Sequence, residues 1–405
     1  MVLNRSNLLW LLFLVFVFTI PLSQFVSTRL LVGLLAFLFL LDARSNWFFS
    51  FFRNTWDVIL YSIMLTVGLI YTTDWTTGLN VIETNLSFLA VPIVISCLPM
   101  FTSNRKKWFF RAFLFGIILS SIICLFVAAY HYAQNSDIQV FFFEKFTAVI
   151  KSHPTYFAYY IIFAITAELF LLYYDEDRRY LLLRYLVILF LFLILILTGG
   201  QTAFISILFV FSFFILKYLT EVKSRTKSIV VGIVILMLCC MFLVTFLESK
   251  NRMAALNDSW ERSLLWESAL KAIPNLFIGV GTGDYKIVLN QYFMSHNLTQ
   301  FASESYNSHN QVIQLLFSNG ILGVLGFGCM ISRPLYLAFR NKNILAILCL
   351  FPFLIYGMTE VFLGRYQGVV FFALLHQIFI SEMNHQKSSF GDPIDITKNL
   401  NVKSI

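Results

Sequence analysis

A chain of 405 residues that is 59% hydrophobic and 18% aromatic, with only 12% charged side chains and 46 Phe, cannot hide its apolar content in a soluble core. Its solvent is a bilayer, and runs that are apolar on every side specify transmembrane helices and exclude a transmembrane β-barrel. The net charge of +8 reads as basic cytoplasmic loops and not as a nucleic-acid surface.

Twelve candidate spans follow one another, at 8–20, 25–41, 58–71, 86–101, 108–132, 155–174, 180–197, 202–219, 228–247, 309–331, 344–359 and 361–380. The expected fold is therefore all-α and polytopic, about twelve transmembrane helices with one large periplasmic loop carrying short helices. The first run imitates a signal-peptide core, but Pro21-Leu22-Ser23-Gln24-Phe25 offers no small-x-small cleavage site. All six Cys fall inside apolar runs, so neither disulfides nor a cysteine metal site is expected. Glu168 stands out as an acidic residue deep in a span. With alternate loops assigned to opposite sides, 20 of the 29 Lys and Arg collect on one side. The positive-inside rule makes that side cytoplasmic, with both termini, and turns the island 248–308 outward, which in a bacterium means the periplasm or the outer leaflet. The expected organisation is N-terminal spans over 1–247, a periplasmic loop over 248–308, three C-terminal spans over 309–387 and a disordered cytoplasmic tail over 388–405.

Ionisable groups outside the lipid are concentrated in the polar island 248–308. Within it Ser259 is a plausible N-cap, with Glu261 in the first turn that follows. Leu264, Leu265, Ala269, Leu270 and Ile273 give that helix an apolar face, and Pro274 closes it. The run Gly279-Val280-Gly281-Thr282-Gly283 resembles a phosphate-cradling loop, yet no βαβ unit surrounds it. A structural turn before a second short helix, from Tyr285 to Phe293, fits better. No nucleophile elbow, HExxH or P-loop pattern occurs.

The chemically useful residues gather where loop meets membrane. His309 follows Asn307 and Ser308 and precedes Asn310 and Gln311, groups able to fix its tautomer, and an imidazole is suited to deprotonating a hydroxyl. Arg262 is a fixed charge suited to bidentate contact with a diphosphate. Gln201 interrupts an apolar hairpin, Glu360 and Arg365 flank a short outer turn, and His153 opens another span from the same side. Each also has a plain reading, as a solvated loop charge, an interfacial polar residue or an internal ion pair.

In their order, these landmarks resemble the O-antigen ligase family, which includes related O-antigen polymerases and protein O-oligosaccharyltransferases. The matching elements are Arg262-x-x-x-Trp266 with Pro274, then Phe277-Ile278-Gly279-Val280-Gly281-Thr282-Gly283, Ser308-His309-Asn310, and Phe317-Ser318-Asn319-Gly320-Ile321-Leu322-Gly323. The resemblance implies metal-independent, inverting transfer of a glycan from an undecaprenyl-diphosphate carrier to an acceptor hydroxyl, lipid A-core or a growing glycan, with no cofactor. By position His309 is the expected base and Arg262 a donor-diphosphate ligand. A second family Arg is replaced by Gln201, with Arg365 and Arg252 as candidate substitutes; Asn307, Asn310, Glu360 and His153 are expected in support. Two alternatives stay open: a polymerase using the same donor, and a lipid-linked oligosaccharide flippase, which calls for midplane charges and inverted repeats.

Overall fold

Lipid offers a backbone no hydrogen-bond partner, so each apolar run must satisfy its own N–H and C=O groups, and does so as helix. The computed structural model describes residues 5–40, 46–99, 102–174, 180–221, 255–303 and 306–389. The expected span at 228–247, Arg252, and residues 390–405 of the expected tail lie outside the described residues. The helices are α1 (Arg5–Thr19), α2 (Gln24–Leu40), α3 (Asn46–Val67), α4 (Trp75–Asn85), α5 (Ser87–Cys97), α6 (Ser103–Asn135), α7 (Phe143–Thr147), α8 (Pro154–Tyr174), α9 (Leu181–Thr198) and α10 (Gln201–Glu221). After the undescribed segment come α11 (Ala255–Lys271), α12 (Tyr285–Ser295), α13 (Thr299–Ser303), α14 (Gln311–Arg340), α15 (Ile344–Gly357) and α16 (Tyr366–Ser389). Among the described residues there is no strand. Five stretches of the described residues are long and apolar enough to cross a membrane: Trp75–Cys97, Asn104–Asn135, Pro154–Tyr174, Leu181–Thr198 and Gln311–Arg340.

Helix α8 is the axis of the bundle, with 72% of its apolar window buried against 33% for α9 on the perimeter. Its aromatic residues set their polar tips on neighbouring backbone: Tyr159 Oη donates to the Cys349 carbonyl and Tyr160 Oη to that of Gln367, each at 2.8 Å. Phe163 meets Phe371 of α16 edge-on, a favoured geometry for rings without polar tips. The helices after α5 run between two polar ends. At one end the starts of α6 and α15 and the end of α8 meet around Lys106, Lys107 and Asn343. At the other, the starts of α8 and α10 meet the ends of α9 and α15.

Two expected boundaries move. Helix α3 begins at Asn46, twelve residues before the expected span, so Asp57 lies inside a helix and is fully buried. Its carboxylate sits 2.6 Å from Arg333 Nη1 of α14 and 2.8 Å from His376 Nε2 of α16. Glu168, paired with Arg184 at 2.9 Å, is thus not the sole acidic residue deep in a span. The last helix starts at Tyr366 and not at 361, because the chain makes a short 3₁₀ turn over Phe362–Gly364 first.

The loop between α11 and α12 locks onto a broken helix. At Gly320 α14 adopts φ 64°, ψ −161°, which interrupts its ladder and frees carbonyls one turn earlier. Val280 N–H donates to the Phe317 carbonyl and Gly281 N–H to that of Ser318, both at 2.9 Å, while Ile321 N–H reaches back to the Leu276 carbonyl at 2.8 Å. A Cβ at Gly320 would lie 2.2 Å from the Phe277 carbonyl oxygen, so both the positive φ and the close approach require glycine. The same loop clamps α3: Thr282 Oγ1 donates to the Leu65 carbonyl, Asn319 Nδ2 to Thr282 Oγ1, and the Asp284 carboxylate accepts from the N–H groups of Thr73 and Asp74. The glycine run is therefore a docking turn whose N–H groups are already occupied, as its sequence context suggested.

Candidate functional site

His309 sits in a hook just before α14. Asn307 Oδ1 accepts the His309 N–H at 2.8 Å, forming an Asx turn, and His309 takes the left-handed φ of 43°. Asn310 then caps α14, its Oδ1 accepting from Val312 and Ile313 while its Nδ2 donates to the Met358 carbonyl at 3.1 Å. Ser308 Oγ donates to the Asn310 carbonyl and Gln314 Oε1, and Gln311 Oε1 accepts from the Leu363 N–H. Asn307 and Ser308 thus shape the hook, and Asn310 and Gln311 hold it against the chain that follows α15. His309 was expected on the helix itself; it stands two residues outside it, because the αL backbone and the Asn310 cap place the helix start at Gln311.

That hook faces Glu360, which follows α15. His309 Nδ1 lies 3.4 Å from Glu360 Oε2, with the two side chains 28% and 17% exposed. Burial pushes the Glu360 carboxyl up, but hydrogen bonding and charge from His309, aided by His153, outweigh it and hold the group below its ordinary value. Glu360 is thus an ionised acceptor, which fixes the proton on Nδ1 and leaves Nε2 as the basic nitrogen. Glu360 makes no ion pair with Arg365 among the described residues.

Arg262 approaches from α11. Leu265 and Ala269 of that helix are buried in a small cluster with Leu289, Phe293, Phe301 and Phe317, which seats α11 over the start of α14. The helix begins at Ala255, so Ser259 lies inside it and is not its cap, Glu261 is beyond the first turn, and Leu270 is 45% exposed instead of part of the apolar face. Arg262 is half-buried and has no ion-pair or hydrogen-bond partner among the described residues.

These groups share one cavity of about 390 Å³, whose walls include His309, Glu360, Arg262, Gln201 and His153. Five of the expected site residues therefore converge from five separate stretches of chain. Gln201 opens α10, so the first N–H groups of that helix, which have no intrahelical acceptors, lie at the cavity wall beside it. His153 Nε2 stands 3.4 Å from Glu144 Oε1. Burial lowers the His153 pKa and Arg365 adds to that, against the opposing pull of Glu360 and Glu144, so the ring is neutral near pH 7. Arg365 is exposed and outside the cavity wall; it acts there only through its field. Asn307 and Asn310 stand behind His309 as supports.

Sequence reasoning missed several wall residues. Thr202 and Thr359 join their hydroxyls at 2.8 Å across the cavity edge, and Tyr356, buried in the wall, leaves its hydroxyl without a partner among the described residues. Thr202 carried a signal, the polar run that breaks the α9–α10 hairpin. Tyr356 and Glu144 carried none, one lying inside an apolar helix and the other in an unremarkable acidic position.

The class follows from where the polarity lies: a multi-pass helical membrane protein whose open polar cavity is held at one end of the bundle. The family model described as O-antigen ligase matches residues 186–328, a segment that contains Gln201, Arg262, His309 and the Gly320 break. Over that segment the chain is similar to the O-antigen ligase family, which supports membrane glycan transfer of the ligase or polymerase type. No curated protein matches the chain. Glu360, His153 and Arg365 lie beyond the matched segment.

Proposed function

We propose that the chain moves a glycan from a polyprenyl diphosphate, undecaprenyl in a bacterial inner membrane, to an acceptor hydroxyl at this cavity on the periplasmic face. The observation that carries the reading is the convergence of a carboxylate-backed imidazole and an unpaired guanidinium in one cavity of a chain with an O-antigen ligase domain.

The chemistry follows from the groups present. Glu360 holds the His309 Nδ1–H, so Nε2 accepts the proton of the acceptor hydroxyl as its oxygen attacks the anomeric carbon. The new C–O bond forms opposite the bond to the diphosphate, which breaks, and the configuration inverts. The diphosphate leaves with the electron pair, and Arg262 offsets the charge that develops on it. Gln201 adds a neutral donor, and the open N–H groups at the start of α10 supply the partial positive charge that an arginine would otherwise bring. The energy resides in the glycosyl–diphosphate bond, so neither nucleotide nor metal enters the balance. Lipid A-core as acceptor makes the enzyme a ligase, and a growing glycan makes it a polymerase.

His309→Ala should abolish transfer in reconstituted vesicles while the protein inserts normally, and Arg262→Lys should lose at least tenfold because a point charge does not replace a planar fork. Wild-type transfer by His309→Ala would sink the assignment. A deletion strain distinguishes the two acceptors: lipid A-core without long glycan means a ligase, and single repeat units on the core mean a polymerase.

A further inference from the structure

The part of the loop that docks on α14 also carries three consecutive apolar residues that are left uncovered among the described residues. Leu276 is 58% exposed, Phe277 72% and Ile278 42%. The Leu276 carbonyl and the Phe277 N–H are tied by hydrogen bonds, yet the three side chains face out. They are continuous with other uncovered apolar groups: Tyr71 Oη donates to the Ile278 carbonyl, Ile70 next to it is 77% exposed, and Ile321, whose N–H is held by Leu276, is 43% exposed. Leu325, one turn further along α14, is 58% exposed.

The depth of this patch follows from α14. From Ile321 to Arg340 the helix runs about 30 Å at 1.5 Å per residue, the thickness of the hydrocarbon core. With Arg340 taken as the far end of the span, Gly320 falls at the membrane boundary, and the Leu276 carbonyl bonded to Ile321 falls at that level. Trp75, 53% exposed at the start of the span Trp75–Cys97, stands where interfacial aromatics collect. A contiguous apolar patch here continues the lipid-facing surface of α14.

We propose that Leu276, Phe277 and Ile278 insert into the leaflet on the His309 side, so that the loop bearing Arg262 is anchored in bilayer lipid as well as in protein. The occupant of the patch is phospholipid acyl chain. The anchor sets the height of α11, and with it Arg262, at the level where a lipid-linked diphosphate lies. Insertion itself is independent of the transfer reaction.

The test is photocrosslinking of the full-length protein in vesicles of phosphatidylethanolamine and phosphatidylglycerol. A benzophenone amino acid placed at Phe277 should yield lipid adducts by mass spectrometry, and the same probe at Lys271, which is exposed at the end of α11 and salt-bridged only to Glu267, should yield none. Adducts at neither position, or equal yields at both, would overturn the proposal. Because the readout is lipid contact, an inactive His309→Ala protein should label at position 277 as well as wild type. Phe277→Asp should raise the KM for lipid-linked donor severalfold with Phe277→Leu near wild type; if Asp and Leu behave alike, the anchor has no bearing on donor capture.

Discussion

Replacing Glu360 by Gln removes a charge and keeps the shape, so it isolates what the carboxylate does for His309. At the observed 3.4 Å, Coulomb's law gives about 1.2 kcal/mol in water-like surroundings and about 5 kcal/mol at an effective dielectric of 20. Both side chains keep some solvent contact, so the screened end applies, and ~1–3 kcal/mol is the working value. Converted at 1.36 kcal/mol per decade, that is a loss of about 10- to 100-fold in kcat/KM. The pH profile carries the sharper signature. Glu360 already titrates below its ordinary range, so what it contributes as an anion is complete above that range and disappears only as the pH falls through its lowered pKa. Between pH 5 and 8 its charge is constant, so the loss in Glu360→Gln should be the same across that window. The assay is glycan transfer in vesicles with lipid-linked donor, read as kcat/KM from pH 5 to 8. Activity within about twofold of wild type across that range would refute the dyad.

Gly320→Ala places a methyl against the Phe277 carbonyl and forces alanine to a positive φ; a loss of about 2 kcal/mol or more is expected, visible as a lower midpoint of thermal inactivation in detergent. A midpoint equal to wild type would mean the break in α14 relaxes without strain. Asp57→Asn leaves the Arg333 guanidinium buried without its anion and should cost about 3 kcal/mol; adding Arg333→Met should recover part of it, and failure of the double variant to recover would point to a role beyond charge neutralisation.

Legibility in the sequence divides along physical lines. Long apolar runs declared helices, because in lipid nothing else satisfies the backbone, and the described spans coincide with helices. Boundaries failed where a charge sat inside a helix: Asp57 depresses local hydropathy, so the third span was expected to start after it, although burial against Arg333 and His376 lets α3 run straight through. Loop positions were legible as chemistry but not as geometry. Arg262, Gln201 and His309 stand out by residue type and order, yet the pairing of His309 with a glutamate 51 positions away depends on how α15 ends, and no local pattern encodes it. Tyr356 was invisible for the opposite reason, since its ring belongs to the apolar core and only its hydroxyl belongs to the cavity.

The two glycine-bearing motifs acquire a shared meaning once their contacts are known. Gly279–Gly283 and Phe317–Gly320 read as separate turns, but each satisfies the other's backbone: the break in α14 exposes the carbonyls that the loop's N–H groups need. Neither is stable alone at a membrane boundary, since unpaired N–H and C=O groups there cost several kcal/mol each. The pairing also fixes distances that matter for chemistry. Arg262 is held by α11, which precedes the loop, and His309 by the hook that precedes α14, so the lock between loop and helix sets the guanidinium relative to the imidazole. Asp284 extends that lock to the end of α3 through Thr73 and Asp74. On the proposed mechanism, a substitution in either glycine motif should therefore reduce transfer out of proportion to its effect on stability, because a small displacement of Arg262 would lengthen its contact with a leaving diphosphate while the folded bundle is untouched.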